Sequence, residues 1–376
     1  YYIRLMPDAN YLSAAMVGDE NFQFYTIIVF TLIILGIFIY YIIYLTNLVS
    51  SEKAFMNDLY PSVDGYIKSI SENDPDCSGN LFDYYVKTAY NACSGGSYKN
   101  DVVDISNLQS VIKQGVRCLD FEIYSIDNNP VVATSTSDSY FIKETFNSVG
   151  FSSVMNTIQN YAFSGGTAPN PTDPIIIHLR IKSNNQEMYT KLADIFTSYE
   201  NIMLGKEYSY ENNGHNIGNT PLLKFKGKVI LIVDKINNSF LENQSFLEFV
   251  NLTSNSVFMR VVSNNDVVNN PDAQELTQFN RTCLTMVTPD TGINPANPSG
   301  LLARTYGCQF VAMRYQLVDN FLMENTQFFD RSGYAFCLKP EPLRYQPVVI
   351  SDPTPQNPEY SYATRTNTTD YYSFNS

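Results

Sequence analysis

The stretch Val116-Arg117-Cys118-Leu119-Asp120-Phe121-Glu122-Ile123-Tyr124 is the part of the chain that decides its fold. Its acids and apolar residues alternate, and side chains along a β-strand point in turn to the two faces of the strand. Asp120 and Glu122 therefore share one face, and the apolar residues around them share the other. Burying unpaired charge costs free energy. We therefore expect a metal ion, a buried cation or a water-filled site against the acidic face.

The segments around this strand alternate between helical and strand-like patterns. Asp104 can cap a helix that runs to Gln114 and stops at Gly115. Further segments read in turn as helix, strand, helix, strand and strand, over residues 151–163, 175–181, 188–199, 228–233 and 308–315. Strands that alternate with helices indicate a parallel sheet. A chain of 376 residues can hold a closed (β/α) barrel, commonly about 250 residues, with additional segments.

The charge and cysteine content exclude several classes of partner. A net charge of -13 and a pI near 4.6 argue against binding to nucleic acid or to an anionic membrane surface, because both favour clustered Lys and Arg. None of the six cysteines forms a close C-x-x-C pair, so a cysteine metal site is not expected. Cys77 and Cys93 lie in polar surroundings and could form a disulfide in an oxidising compartment.

An uncharged apolar segment runs between Tyr25 and Leu45. About 20 apolar residues match the hydrocarbon thickness of a bilayer, so we predict a transmembrane helix over residues 24–46, after an N-terminal segment over residues 1–23. Tyr40, Tyr41 and Tyr44 fit the aromatic belt at one interface. A buried core helix and an uncleaved signal peptide are the alternatives, although a signal peptide usually has a shorter apolar core. The flanking charges leave the orientation open.

Three further segments follow this helix. Residues 47–80 are polar and mixed and are expected to form a stalk. Residues 81–350 carry the barrel. Residues 351–376 are rich in Pro, Thr, Tyr, Ser and Asn and show no periodicity, so an extended or disordered tail is expected. The stalk and the tail are candidate contact arms for a partner.

Five segments resemble the two conserved boxes of phosphoinositide-specific phospholipases C. KQGVRCLDFE at 113–122, IQNYAF at 158–163 and PIIIHL at 174–179 resemble the X box. YGCQFVAMRYQ at 306–316 and GYAFCLKPEPLR at 333–344 resemble the Y box. The resemblance covers roughly residues 81–345. It implies a distorted TIM barrel with its site at the carboxyl ends of the strands.

The resemblance also implies that both catalytic histidines are missing. Enzymes of this family cleave a phosphodiester with two histidines. The matching position of the first is Tyr90, and that of the second is Thr134. Neither side chain titrates near neutral pH, so neither can transfer protons as imidazole does. The two histidines of the chain fall elsewhere. We expect His178 to be a hydrogen-bonded core residue and His215 to lie on the surface.

The family binds a calcium ion with one Asn and three acidic residues, and the resemblance implies that this site is altered. Asn91 is retained, and Asp120 and Glu122 stand at two ligand positions in exchanged order. The third acidic position falls on Arg180, whose positive charge repels calcium. We expect Arg180 to occupy the calcium position and to pair with one or both acids. A surviving metal site is the alternative. Bacterial phospholipases C that use an arginine in place of calcium keep both histidines.

The positions that bind the substrate in the family also carry different residues in this chain. Ile232 and Asp234 stand where lysines are expected to hold inositol phosphates, and Met286 and Thr288 stand where an arginine and a tyrosine contact the head group. Recognition of phosphate depends on positioned basic side chains and backbone donors. The resemblance therefore implies loss of substrate binding.

The sequence as a whole predicts a membrane-anchored, catalytically inactive phospholipase C-like protein that acts as a structural or interaction module. Its composition resembles that of phospholipase C-like membrane proteins of large DNA viruses, which implies a virion membrane or minor capsid-associated role. We expect the bilayer and other proteins as partners, and no nucleic acid and no cofactor. The alternatives are a calcium-independent phosphodiesterase that uses Arg180, and a lipid-binding barrel without turnover.

Overall fold

The computed structural model describes residues 9–137, 139, 141–347, 354, 357, 360 and 362–376. The chain divides into two compact units, Tyr1–Arg344 and Tyr345–Ser376. The first eight residues of the expected N-terminal segment, and most of the expected tail before residue 362, lie outside the described residues.

Eleven strands of the first unit form one sheet. In chain order they are β1 (Tyr84–Ala89), β2 (Cys118–Ile126), β3 (Asn129–Ala133), β4 (Val149–Gly150), β5 (Ile175–Ile181), β6 (Val229–Asp234), β7 (Leu252–Ser254), β8 (Met259–Ser263), β9 (Leu284–Thr288), β10 (Phe310–Met313) and β11 (Phe336–Leu338). Eight of them are parallel neighbours in the order β7-β6-β5-β2-β1-β10-β9-β8 and form a nearly closed barrel. β3 pairs antiparallel with β2, and β11 with β1.

The first helix precedes the barrel, and the others lie between its strands along the chain. They are α1 (Ala9–Leu59), α2 (Ile105–Lys113), α3 (Phe151–Thr157), α4 (Gln186–Ser198), α5 (Ser209–Gly214), α6 (Gln244–Leu247), α7 (Asn264–Val268), α8 (Ala273–Phe279), α9 (Gly300–Thr305) and α10 (Asn320–Ser332). The helix that follows Asp104 begins and ends as predicted. The Asp104 carboxylate accepts a hydrogen bond from Ser106 N at 2.8 Å, and Gly115 has φ +72, a conformation that favours glycine.

Two apolar layers hold the barrel together, and the period-two pattern of the strands explains them. One face of the strands packs inside the barrel, with Cys118 and Ile176 as examples. The other face packs against the helices, with Leu119 and Ile177 as examples. Each layer is close to fully buried. The predicted distorted TIM barrel is therefore confirmed.

The first helix is longer than the predicted span. It continues from residue 46 to Leu59, and residues 21–59 are long and apolar enough to cross a membrane by length and composition. Its apolar side chains are exposed, such as Phe30 at 65% and Ile34 at 56%, so this segment is not a core helix of the barrel.

The segment expected to be a stalk, residues 47–80, packs on the barrel instead. Met56 is buried against the outer layer, and Ile67, Ile70 and Cys77 are buried in the inner layer's cluster. A few apolar residues spaced through a polar segment suffice to fix it, because each buried side chain contributes about 1.5–3 kcal/mol. From Met56 onward, the expected stalk is therefore packed on the barrel, whereas residues 47–55 belong to α1.

The suggested disulfide needs correction. Cys77 and Cys93 are both buried and free, and they belong to different apolar clusters, which rules it out. In the second unit, strands β12 (Thr366–Thr368) and β13 (Ser373–Asn375) form an antiparallel hairpin, so this part of the expected tail is extended.

Candidate functional site

The acidic strand and the strand beside it place four polar side chains inside the mouth of the barrel. β2 and β5 run parallel in a register that pairs Asp120 with His178 and Glu122 with Arg180. Because these four residues alternate with apolar ones, all of them point to the barrel interior. All four are at most 2% exposed.

Arg180 is the centre of this group. Its Nε and Nη2 donate to the two carboxylate oxygens of Asp120 at 3.0 and 2.7 Å. Its Nη1 donates to Glu122 Oε1 at 3.0 Å, and its Nη2 also donates to Asn91 Oδ1 at 2.9 Å. A planar guanidinium suits such bidentate pairing with a carboxylate. The structure thus brings together the four residues that the family resemblance matches to a calcium site, which we call the acid–arginine cluster: Asn91, Asp120, Glu122 and Arg180.

Asn91 links the two acids from the loop after β1. Its backbone N donates to Asp120 Oδ2 at 3.2 Å, and its Nδ2 donates to Glu122 Oε1 at 3.1 Å. It adopts φ +46, in the left-handed region where Asn is tolerated better than most residues. This backbone conformation aims both its amide and its backbone N–H at the acids.

Glu122 has a second set of partners on its other oxygen. Its Oε2 accepts hydrogen bonds from Tyr124 Oη at 2.7 Å, from Ser135 N at 2.9 Å and from Ser135 Oγ at 3.0 Å. Sequence reasoning missed both partners. Tyr124 carried a signal, because it lies two residues after Glu122 on the same strand face, whereas Ser135 lies in a loop and carried none.

Asp120 is held by a histidine as well as by the arginine. His178 Nδ1 lies 2.7 Å from Asp120 Oδ1, and His178 Nε2 lies 2.9 Å from Ser254 Oγ. Burial alone would raise the pKa of Asp120, but the Arg180 charge and the His178 hydrogen bond outweigh it and hold that pKa well below its usual value. His178 is the hydrogen-bonded core residue that the sequence predicts. Ser254, at the end of β7, was missed.

The two positions matched to the catalytic histidines lie beside the cluster. The Tyr90 ring stacks on Arg180, with the guanidinium carbon 4.3 Å from the ring centroid. Thr134 is buried, and its Oγ1 donates to Tyr98 O at 3.1 Å. His215 is exposed, in the loop after α5. The structure therefore brings neither histidine of the chain to these two positions.

The cluster does not suit a calcium ion. Calcium takes six to eight oxygen ligands, chiefly from carboxylates and carbonyls. Here Asp120 accepts from Arg180 through both oxygens, Glu122 through one, and the Asn91 carbonyl accepts from the same guanidinium. A calcium ion would have to displace the guanidinium that its ligands already hold.

The four positions matched to the family's substrate contacts are apolar or already bonded. Ile232 and Met286 are buried in the inner apolar layer. Asp234 Oδ1 accepts from Asn255 Nδ2 at 2.8 Å, and Thr288 Oγ1 donates to a backbone carbonyl at 3.4 Å. Two cavities flank the cluster, and each has a volume of about 10 Å³. That is room for about one water molecule.

A nearly closed parallel barrel, with its polar group at the carboxyl ends of the strands, is the arrangement of a TIM barrel. Residues 77–235, which include β1 to β6, match the family model of the phosphatidylinositol-specific phospholipase C X domain. This match supports the phospholipase C family for these residues. The Y-box resemblance lies beyond the matched residues.

Two solved structures show the same fold. The crystal structures of PLC21 from S. officinalis and from L. pealei each superpose with a TM-score of 0.57 over 72% of this chain, at 16% and 17% identity. The alignment covers 38% of either PLC21 chain, so this chain corresponds to a minor part of those proteins. A calcium-dependent phosphoinositol-specific phospholipase C from a Pseudomonas species gives a TM-score of 0.46 at 10% identity, over 70% of this chain and 97% of its own. No curated protein sequence matches the chain.

Proposed function

We propose that the chain is a membrane-anchored, catalytically inactive phospholipase C-like protein that serves as a structural or interaction module. The observation that carries this proposal is the position of Arg180, whose guanidinium donates to Asp120, Glu122 and Asn91. These are the residues that the family resemblance matches to calcium ligands. A built-in cation satisfies the acids and leaves no electrophilic metal for a phosphodiester.

Neither position matched to a catalytic histidine carries one. Tyr90 and Thr134 replace the two expected histidines, and Tyr90 is packed on Arg180. His178 is fully buried and bonded through both ring nitrogens, and His215 lies on an exposed loop. General acid–base catalysis requires a titrating group within hydrogen-bond reach of the substrate.

Among the described residues, the two cavities beside the cluster, at about 10 Å³ each, are too small for an inositol phosphate. Besides the two water-sized cavities beside the cluster, the matched lysine positions carry an isoleucine and an aspartate. A polyanionic head group would meet the carboxylate of Asp234 at one of these positions. This favours a module without turnover over a calcium-independent phosphodiesterase.

The proposed location follows from the first helix and from composition. The exposed apolar part of α1 suits a bilayer. The second unit carries exposed aromatic residues, including Tyr362 and Tyr371, that could contact a protein partner. With the resemblance to membrane proteins of large DNA viruses, these features lead us to propose a minor capsid-associated role at a virion membrane.

The test is phosphatidylinositol hydrolysis by the full chain in mixed micelles, with and without calcium, beside an active calcium-dependent phospholipase C. We expect no release of inositol phosphate above the protein-free rate. Robust turnover that Arg180→Ala abolishes would refute inactivity and establish the phosphodiesterase alternative. Saturable stabilisation by head groups without turnover would establish a lipid-binding barrel.

A further inference from the structure

An acidic side chain lies on the face of α1 that packs against the barrel. Glu52 and Met56 are one helical turn apart, and the turn continues to Tyr60, whose N donates to Met56 O at 3.0 Å. Residues spaced by four share one face of a helix. Met56 is buried in the outer apolar layer, and Tyr60 Oη donates to Tyr315 O at 2.7 Å. Glu52 therefore belongs to the face that docks α1 on the barrel, beyond the predicted span of residues 24–46.

The Glu52 carboxyl group lies against the loop that follows β1. A side chain at Gly95 or Gly96 would overlap the Glu52 carboxyl oxygens, so the two glycines provide the space for this group. The carboxyl groups of Glu52 and Asp101 are hydrogen-bonded to each other. Two ionised carboxylates cannot make such a bond, because neither carries a hydrogen to donate. The contact therefore requires a proton on one of the two acids.

The other contacts of the two acids place that proton on Glu52. The Asp101 carboxylate already accepts two backbone N–H groups, from Ser97 at 2.7 Å and from Val102 at 3.0 Å. Hydrogen bonds donated to a carboxylate favour its ionised form. Glu52 Oε2 is buried and has no hydrogen-bond partner within the described residues, so ionising Glu52 would leave charge on an unpaired oxygen. Asp104 adds a further negative charge beside it.

The basic groups near this contact have other partners. Lys99 Nζ pairs with Glu144 Oε1 at 2.8 Å, and Arg314 Nη2 donates to the Gly96 carbonyl at 3.2 Å. The Cys93 thiol in the same loop stays neutral, because burial raises its pKa. Other charged groups on the two helices packed here are exposed on α1 or lie at the far end of α2: Lys53, Asp58 and Lys113.

We propose that Glu52 and Asp101 form a proton clamp that fixes α1 to the rim of the barrel. With the proton bound, the two carboxyl groups bond to each other and α1 stays docked. When the proton passes to solvent, two carboxylates face each other, and their repulsion releases the end of α1 from the loop. The proton clamp concerns how the barrel is held beside the membrane, so it does not depend on whether the barrel is an enzyme.

The direction of the pH dependence follows from the two states of Glu52. In the docked state, burial, the Asp101 hydrogen bond and the charges of Asp101 and Asp104 raise the pKa of Glu52 to about 9. In the released state Glu52 faces water, where its pKa is about 4.3. Docking is therefore strongest below the released-state pKa and weakens as pH rises towards the docked-state pKa. Between these values, the ratio of released to docked protein should grow by up to about tenfold per pH unit.

The test uses the full chain in nanodiscs. Nitroxide labels on unnatural ketone side chains, which spare the six cysteines, are placed at the exposed positions Ser51 and Glu200. Electron paramagnetic resonance then measures the distance between α1 and the barrel at pH 5, 7 and 9. We expect one distance at pH 5 and a second, broader population that grows towards pH 9. Glu52→Gln should stay docked at every pH, because glutamine donates to Asp101 without titrating. Glu248→Gln, at an exposed and remote pair, is the matched control.

A second measurement detects the proton itself. The infrared carbonyl band of protonated carboxyl groups is recorded at pH 7 for the wild type, for Glu52→Gln and for Glu248→Gln. We expect one component of this band in the wild type and in the control, and its loss in Glu52→Gln. This measurement does not depend on release of α1, so it tests the protonation state separately.

Three results would overturn the proposal: a wild-type distance that is the same at pH 5 and pH 9, release of α1 in Glu52→Gln as in the wild type, or no infrared component that Glu52→Gln removes. Loss of docking at pH 5 on addition of a chelator would also overturn it, because the acids would then hold a divalent cation. Phosphatidylinositol hydrolysis on the same preparation tests inactivity independently of the proton clamp.

Discussion

Replacing Arg180 by Met should disrupt the hydrogen bonds of the acid–arginine cluster and strongly lower the stability of the barrel. The change keeps much of the side-chain volume but removes four donated hydrogen bonds. It leaves Asp120 and Glu122 buried, at 0% and 1% exposure, with no cation between them. Breaking a buried ion pair from one side costs about 3–5 kcal/mol. At about 2–4 °C per kcal/mol for a domain of this size class, we expect the Tm to fall by roughly 6–20 °C.

The pH dependence of this variant gives the reasoning a second check. In the wild type the pKa of Asp120 is depressed, so its stabilising contribution is present above the unfolded pKa of about 3.9 and is lost only in strong acid. In Arg180→Met the two buried acids repel each other, so we expect their folded pKa values to rise. A raised folded pKa gives stability at low pH that is lost as pH rises. The stability of the variant should therefore increase as pH falls from 8 to 5.

The assay is thermal unfolding followed by circular dichroism on the full chain in nanodiscs. Arg260→Met is the matched control, because Arg260 also makes a bidentate pair, with Glu275, but at 39% and 50% side-chain exposure. We expect that control to cost about 1 kcal/mol or less. The triple variant Asp120→Asn/Glu122→Gln/Arg180→Met should regain most of the Tm that Arg180→Met loses, because it leaves no carboxylate or guanidinium in the acid–arginine cluster. A Tm for Arg180→Met within about 1 °C of the wild type, with an unchanged pH profile, would refute the reasoning.

Three further predictions concern groups around the cluster and away from it. Asn91→Ala should lower the free energy of unfolding in urea by about 1–3 kcal/mol, because it removes the side-chain amide. Asn91→Gly loses the same amide but should cost less, because glycine tolerates φ +46. Equal costs would show that the backbone conformation is unimportant. Ser254→Ala should cost about 1 kcal/mol in the same assay by removing the His178 Nε2 partner, and no change would argue against that hydrogen bond. Burial lowers the pKa of Lys339 to about 7, so the contribution of Lys339 to the stability of the fold is present above its unfolded pKa and is lost as pH falls through 7. Lys339→Met should therefore flatten the dependence of stability on pH between pH 9 and pH 6. An unchanged slope would contradict the burial argument.

The parts of the site that could be read from sequence are those fixed by strand periodicity and register. The alternation around Asp120 placed its acids on an interior face, and the same alternation along residues 175–181 placed His178 and Arg180 on the interior face of the neighbouring strand. Parallel strands in one barrel bring such positions to the same height. The contact of Arg180 with both acids follows from this register and from charge.

The parts that could not be read depend on contacts between distant segments. Ser254 lies 76 residues from His178, on a strand of only three residues that shows no periodic pattern. The packing of residues 60–80 rests on a few apolar anchors, such as Ile67 and Ile70, within a polar stretch. Average composition hides such anchors, because their burial depends on the surface that the rest of the chain provides.

An experimental structure of the chain in buffer with millimolar calcium would test the central claim most directly. We predict the Arg180 guanidinium between Asp120 and Glu122, bonded to both carboxylates, with no ion at the cluster. A calcium ion bound to Asp120, with the Arg180 side chain turned away, would contradict the account.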